Sequence, residues 1–246
     1  MAFRLGLIAA VWIAVALPAA AQTEHATPER AQDRANVVLI FNHGTVRPQR
    51  QHECNARDVP GLVRDIAEAN GWTVHYLCSL ATDGGLTGSY TYKRADEILA
   101  AVAQYRQQGV PARYIFLLGP SAGGWSSLMA ARNDHSGFNA IVAFAPAFAG
   151  PRAEEEQYPV WRRRMQPLQI GYLTAAPRID ALIFAHDDDA FDRPEDLEPL
   201  KRIPGIRIVA FNDCRQGHRT VYTDCFRQRA RQQIEAYIKS RLARGQ

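Results

Sequence analysis

The sequence has little excess charge of either sign and few long apolar runs. Of its 246 residues, 29 are Lys or Arg and 25 are Asp or Glu, which gives a formal net charge of +4. So small an excess gives no support for a nucleic-acid-binding protein, in which basic residues usually cluster on one face. Charged residues make up 22% and apolar residues 47%, an ordinary globular composition rather than that of a disordered or collagen-like chain.

One apolar run does stand out, at the N-terminus. Arg4 precedes an apolar stretch at residues 5–17, which is followed by a proline and three alanines ending at Ala21. This pattern predicts a secretory signal peptide over residues 1–21 and a periplasmic or secreted protein. A membrane anchor is the less favoured alternative, because a spanning helix needs about 20 apolar residues. Polar residues 22–35 predict a flexible tether, and we expect no membrane span in the mature chain.

Cysteines are few, and none of them forms a Cys-x-x-Cys motif. The absence of that motif argues against a zinc site, and we predict no bound metal. In an exported protein, an even set of four cysteines predicts disulfides instead. Of the three possible connectivities, we favour Cys54–Cys78 with Cys214–Cys225, because each bridge joins neighbouring segments.

Residues 36–246 contain no internal repeat and no low-complexity linker, which predicts a single domain. Apolar runs predict buried strands at residues 37–41, 73–77, 114–118, 140–144, 181–185 and 206–211. Helical spacing predicts helices at residues 92–108, 122–132 and 227–242, with a short one starting near Asp192. This alternation predicts an α/β fold with a mostly parallel sheet of about six to eight strands and helices on both faces. Residues 150–178 show no clear pattern and form either a small lid or an irregular crossover.

The strongest chemical signal is a serine motif. Residues 119–123 fit Gly-x-Ser-x-Gly, directly after a predicted strand and at the start of a predicted helix. The glycines permit a strained turn that exposes a serine hydroxyl, and the helix N-terminus places backbone N–H groups beside it. The motif predicts Ser121 as a nucleophile, and the alternative is a glycine-rich turn that only begins a helix.

A serine nucleophile needs a base, for which histidine is the usual residue. His218 follows the last predicted strand and precedes the final helix, so it can reach back over the edge of the sheet. We therefore predict His218 as the base. His186 lies at a strand end within an acidic loop, and a metal site there is an alternative that no second cluster of ligands supports.

The base needs an acid that orients its imidazole. Asp187, Asp188 and Asp189 follow the predicted strand at 181–185, and the position argues that one of them is buried. We choose Asp188 from its distance to the strand end and assign Asp192 to the helix N-cap, while the two neighbouring aspartates stay open as alternatives.

The order Ser121, Asp188, His218 resembles the α/β-hydrolase superfamily, whose triad runs in that order and whose serine lies on a strand–turn–helix elbow. The resemblance covers residues 36–243. Within the superfamily, Phe-Asn-His-Gly at 41–44 and Gly-x-Ser-Ala-Gly-Gly-Trp from Gly119 look like the dienelactone-hydrolase-like serine hydrolases. That group contains esterases and some peptidases. Dienelactone hydrolases themselves use a cysteine nucleophile, so their substrate is not implied by this sequence.

The resemblance implies an α/β-hydrolase fold with little or no lid, and an oxyanion hole formed by the backbone N–H groups of Thr45 and Ala122. His43 would hold the loop, and both His43 and Trp125 are candidates for the substrate pocket, although aromatic residues are more often part of the core. The implied activity is that of an exported carboxylesterase-like serine hydrolase, which acts on small ester substrates and needs no cofactor. A peptidase or acyltransferase with the same triad, or a non-catalytic binding protein, remains an alternative.

Overall fold

A computed structural model of the chain describes residues 37–45, 55–79, 81, 88–157 and 159–244. The predicted signal peptide, the predicted tether and Cys54 lie outside the described residues. Among the residues that it does describe, no helix is both long and apolar enough to cross a membrane.

The described part of the chain forms one sheet of six strands. In chain order they are β1 (Val38–Asn42), β2 (Thr73–Leu77), β3 (Ile115–Pro120), β4 (Ala140–Phe144), β5 (Ala181–Ala185) and β6 (Ile206–Ala210). They lie side by side in the order β2-β1-β3-β4-β5-β6, and every neighbouring pair is parallel. The prediction of a largely parallel sheet is therefore confirmed. The four inner strands are buried throughout, whereas β2 and β6, at the edges, are partly exposed.

Six α-helices accompany the strands within the described ranges. They are α1 (Gly61–Asn70), α2 (Tyr90–Gln107), α3 (Ser121–Asn133), α4 (Gln166–Thr174), α5 (Pro194–Leu197) and α6 (Asp224–Arg244). Helix α1 was not predicted. Its signals were present, because buried Leu62, Val63 and Ile66 follow helical spacing and Gly71 ends the helix in the left-handed conformation at φ 67°.

The sheet separates two apolar cores. Successive residues of a strand point to opposite faces, so Ile40 packs into one core and Leu39 into the other. Helices α2, α3 and α4 cover the first face, where Trp125 is fully buried. Helices α1 and α6 cover the second face, where Phe226 is fully buried. This two-sided burial explains why the inner strands read as continuous apolar runs.

The segment at 150–178, for which the sequence left two possibilities, is a helical crossover from β4 to β5. It contains a π-helix at Val160–Met165 that continues directly into α4. Within the π-helix, Arg162 is buried and its guanidinium lies 3.2 Å from a carboxylate oxygen of Asp192. This ion pair fastens the crossover to the loop that follows β5.

The assignment of Asp192 to a helix N-cap is wrong. Asp192 is fully buried, and its carboxylate also accepts a hydrogen bond of 2.6 Å from the Gln166 side-chain amide. The N-cap of α5 is Arg193, whose backbone N–H donates to the carboxylate of Asp196 at 2.9 Å. Asp192 therefore serves tertiary packing, which spacing along the chain does not reveal.

Candidate active site

Ser121 lies on a sharp turn between β3 and α3. Its φ of 51° is a conformation that residues other than glycine rarely adopt. A Cβ on Gly119 would lie 2.5 Å from the carbonyl oxygen of Asn42, and one on Gly123 would lie 2.0 Å from the same oxygen. Both positions therefore need glycine for the elbow to pack against the end of β1, as the serine motif predicts.

Side chains also fasten this elbow to β1. The Asn42 amide donates to the hydroxyl of Ser127 at 2.9 Å, and that hydroxyl donates to the carbonyl of Gly123 at 2.8 Å. Neither Asn42 nor Ser127 was predicted to have a role in the site. Because the two residues are far apart in the chain, no local pattern links them.

His218 and a buried aspartate form a hydrogen-bonded pair. His218 lies in a 3-10 helix at Gly217–Tyr222, and its Nδ1 is 2.9 and 3.1 Å from the two carboxylate oxygens of Asp189. The Asp189 side chain is fully buried and also accepts the backbone N–H of Phe191 at 2.7 Å. The ring of Phe191 packs on the imidazole, with a centroid separation of 4.2 Å. These contacts fix the orientation of the imidazole.

The prediction that Asp188 orients the histidine is therefore wrong. Beyond β5 the chain turns, and the backbone N–H of Asp189 donates to the carbonyl of His186 at 3.1 Å. This turn brings Asp189, not Asp188, to the imidazole. The Asp188 carboxylate instead accepts the backbone N–H of Gly217 at 3.0 Å, so it holds the neighbouring loop rather than the ring.

Gly217 lets those two loops approach each other. Its φ is 51°, and a Cβ there would lie 2.9 Å from the carbonyl oxygen of Asp188. A side chain at this position would push the loop of His218 away from the loop of Asp189. The glycine before the histidine is thus part of what positions the pair.

With Nδ1 engaged by Asp189, Nε2 is the imidazole nitrogen left for chemistry. It is buried and has no hydrogen-bond partner within the described part of the chain. Ser121 follows β3, Asp189 follows β5 and His218 follows β6. In a parallel sheet these strand ends share one edge, which is where active sites of such sheets form.

The two backbone N–H groups predicted for an oxyanion hole belong to segments that meet at the serine. Ala122 is the second residue of α3, and the first four N–H groups of a helix have no acceptor inside the helix. On the other side, a Cβ on Gly44 would lie only 3.4 Å from the Cβ of Ser121. Thr45 follows directly, and its hydroxyl lies 2.7 Å from the hydroxyl of Tyr90.

A buried arginine forms hydrogen bonds to the loop of residues 43–45. Arg94 of α2 is 3% exposed, and its guanidinium donates to the carbonyls of His43 at 2.8 Å and Gly44 at 3.3 Å. Burial lowers the pKa of Arg94. Arg94 was not predicted to have a role, because an arginine in an amphipathic helix is ordinarily on the solvated face.

The two candidates for the substrate pocket have different surroundings. Trp125 is fully buried, and its indole N–H donates to the side-chain oxygen of Gln169 at 2.7 Å. Trp125 is therefore a core residue, and its assignment to the pocket is wrong. His43 is also buried, and its Nε2 accepts the backbone N–H of Ser79 at 3.0 Å. His43 nevertheless lines a surface cavity together with Gly44 and Thr45.

A disulfide closes the segment that carries His218. Cys214 and Cys225 are bonded, with their Cα atoms 5.8 Å apart, as predicted. Cys78 is also disulfide-bonded, but its predicted partner Cys54 lies outside the described residues, so that pairing stays a prediction. Within the described ranges, no group of three or more His, Cys, Asp and Glu side chains could hold a metal ion.

No protein-family model matches the sequence, and neither does any curated protein. Solved structures do match the structure of this chain. A structure of DcsB in complex with its substrate analogue has 15% identity and a TM-score of 0.59, over 85% of this chain and 91% of that chain. Est1E from Butyrivibrio proteoclasticus has 16% identity and a TM-score of 0.60, over 85% and 90%. A puromycin-hydrolyzing peptidase of Mycobacterium tuberculosis has 15% identity and a TM-score of 0.61, over 85% of this chain but 35% of that chain. Identities this low establish architecture rather than activity, and the architecture that these structures share with this chain is the α/β-hydrolase fold.

Proposed function

We propose that the protein is an exported serine hydrolase that cleaves ester bonds in small-molecule substrates, with Ser121 as nucleophile, His218 as base and Asp189 as the acid. The observation that carries the proposal is the pairing of His218 with a fully buried Asp189. A carboxylate in this position fixes the imidazole tautomer, so that Nε2 can accept a proton. Ser121 lies at the same edge of the sheet in a strained conformation, and its hydroxyl is the nucleophile for that base.

The reaction follows from these roles in two steps. Nε2 of His218 takes the hydroxyl proton as Oγ of Ser121 attacks the ester carbonyl carbon. The tetrahedral intermediate collapses, the bond to the alcohol breaks, and His218 gives its proton to the departing alcohol oxygen. A water molecule then loses a proton to His218 and attacks the acyl-enzyme, which releases the carboxylic acid and returns the proton to Ser121. Asp189 stabilises the imidazolium in both steps.

The oxyanion of each intermediate needs donors that are in place before the reaction. We assign this role to the backbone N–H groups of Ala122 and Thr45. Two observations support this assignment. Gly44 packs against Ser121, and the side chains of Arg94 and Tyr90 form hydrogen bonds to the loop of residues 43–45. Losing one such donor typically costs about 3–4 kcal/mol of transition-state stabilisation.

Export is proposed from the N-terminal pattern at residues 1–21 and from the Cys214–Cys225 disulfide. Disulfides persist in oxidising compartments and are rare in the cytosol. A periplasmic or secreted location is consistent with both features.

The proposal is tested by the turnover of 4-nitrophenyl acetate. We expect the wild-type protein to release 4-nitrophenol, and we expect Ser121→Ala to lower kcat by at least about 10⁴-fold, because removal of the nucleophile disables the whole triad. The variant should keep the melting temperature of the wild type. Equal turnover by a folded Ser121→Ala variant contradicts the mechanism. Release of amino acids from peptides without turnover of any ester would replace the esterase with a peptidase.

A further inference from the structure

A cavity of about 380 Å³ opens beside the loop formed by residues 43–45. Arg219 and Tyr222 form another part of its wall, and both belong to the 3-10 helix that carries His218. Because Gly44 lies against Ser121, the cavity adjoins the segments of both the proposed nucleophile and the proposed base. Its size is in the range of sites for small molecules. One end of a bound substrate would therefore lie in this cavity.

Two arginines give this cavity a positive character. Among the described residues that line it are Arg57 and Arg219, and Asp58 is the one acidic residue among them. Within the described part of the chain, neither arginine side chain has an ion pair or a hydrogen bond. Other surface arginines do have such contacts, as Arg227 does with Asp65. Counted over the described residues, the lining thus carries a net positive charge, on two arginines that no described side chain engages.

Neither Asp58 nor Tyr222 cancels the positive charge of the two arginines. The carboxylate of Asp58 accepts a hydrogen bond from the hydroxyl of Tyr76 at 3.3 Å, and no ion pair joins it to either arginine in the described residues. Burial and the nearby Asp58 raise the pKa of Tyr222 to about 12. The phenol of Tyr222 is therefore neutral at ordinary pH and adds a hydrogen-bond donor to the cavity rather than a second negative charge.

We propose that this cavity binds a carboxylate on the substrate through Arg57 and Arg219, so that the preferred substrates are esters with an anionic group at one end. The proposal rests on the proposed hydrolase function. Arginine suits this role because its planar guanidinium matches a carboxylate with two parallel hydrogen bonds and stays charged. Two arginines in a concave site, one of them adjacent in sequence to the base, would position the ester carbonyl over Ser121.

The test uses matched pairs of esters that differ by one charge. In the first pair the carboxylate is on the acyl side: mono-4-nitrophenyl adipate against its methyl ester. In the second pair it is on the leaving group: 4-acetoxybenzoate against methyl 4-acetoxybenzoate. The measured quantity is the ratio of kcat/KM for the anionic ester to kcat/KM for its neutral partner. We expect this ratio to exceed about ten in at least one pair, since each exposed arginine–carboxylate contact contributes up to about fivefold.

Variants locate the preference in the cavity. Arg57→Gln and Arg219→Gln should each lower the ratio by about fivefold. Arg215→Gln is the matched control, because Arg215 is an exposed arginine just before the 3-10 helix of Arg219 and is not among the described residues that line the cavity, so it should keep the wild-type ratio. Raised salt should lower the wild-type ratio by screening.

The possible failures are distinguishable. If wild-type protein hydrolyses both members of each pair equally, the cavity does not select a carboxylate, while the hydrolase function stands. A wild-type preference that survives in both arginine variants also overturns the assignment of these residues. If wild-type protein hydrolyses none of the four esters, the proposed function itself fails.

Discussion

Asp189 determines how His218 is oriented, because its buried carboxylate contacts Nδ1 of the ring with both oxygens. Ser121 was predictable from its motif and His218 from its position after the last strand, but distance to the strand end selected the wrong one of three consecutive aspartates. Which of them faces the ring depends on the turn in which the Asp189 N–H binds the His186 carbonyl, and adjacent residues have almost the same distance to the strand end. Arg94 was missed for a different reason, since its burial is a tertiary property that its helical spacing does not reveal.

The acid assignment gives a prediction with an internal control. Asp189→Asn should lower kcat for 4-nitrophenyl acetate by about 10⁴-fold, because the amide favours the wrong imidazole tautomer. Asp188→Asn removes a carboxylate that accepts the Gly217 backbone N–H and does not contact the His218 ring, so its kcat should stay within about tenfold of wild type. Steady-state kinetics at neutral pH measure both. The reverse order of effects would return the role to Asp188.

At the scale of elements, the segment of His218 is held at both ends. The disulfide joins Cys214 to Cys225, and the buried hydroxyl of Thr220 shares its hydrogen between the carbonyls of Cys214, at 3.1 Å, and Gly217, at 2.8 Å. The strands and the long helices were predictable because their apolar periodicity reflects burial on one or two faces. The crossover at 150–178 was not, because its contacts are tertiary: Arg162, one of three consecutive arginines, is buried against Asp192 in the loop after β5.

The disulfide should stabilise the protein and its active-site loop together. A Cys214→Ser, Cys225→Ser double variant should lose about 3 kcal/mol of unfolding free energy, the chain-entropy value for a loop of this size. It should also lose esterase activity at a lower urea concentration than the one at which the sheet unfolds. Activity and circular dichroism across a urea titration measure the two transitions. Coincident transitions at the wild-type midpoint would contradict this coupling.

At the scale of the whole molecule, one buried ion pair ties the crossover to the edge of the sheet where the proposed triad lies. Asp192 pairs with Arg162 and belongs to the same loop as Asp189. Burial raises the pKa of Asp192 from 3.8 to about 6. The folded protein therefore binds this proton more tightly than the unfolded chain does, and global stability depends on pH through this residue.

The raised pKa of Asp192 fixes the direction in which stability changes with pH. Between about pH 4 and 6 the unfolded chain ionises at Asp192 before the folded protein does, so this residue's contribution to the free energy of unfolding falls as pH rises, by up to roughly 3 kcal/mol. Below and above that window its contribution is constant. As pH rises from about 4 to 6, the free energy of unfolding of the wild type, measured with urea, should fall relative to that of Asp192→Asn. A difference that is independent of pH would show that Asp192 ionises normally.

The central claim, that Ser121 is a nucleophile activated by His218, is tested most directly by covalent labelling with a fluorophosphonate probe, which reacts with activated serines. Mass spectrometry of the intact protein should show one adduct on the wild type, and peptide mapping should place it on Ser121. The Ser121→Ala variant should show no adduct, and His218→Ala should react far more slowly while it remains folded. No adduct on the wild type, or an equal adduct on Ser121→Ala, would contradict the account.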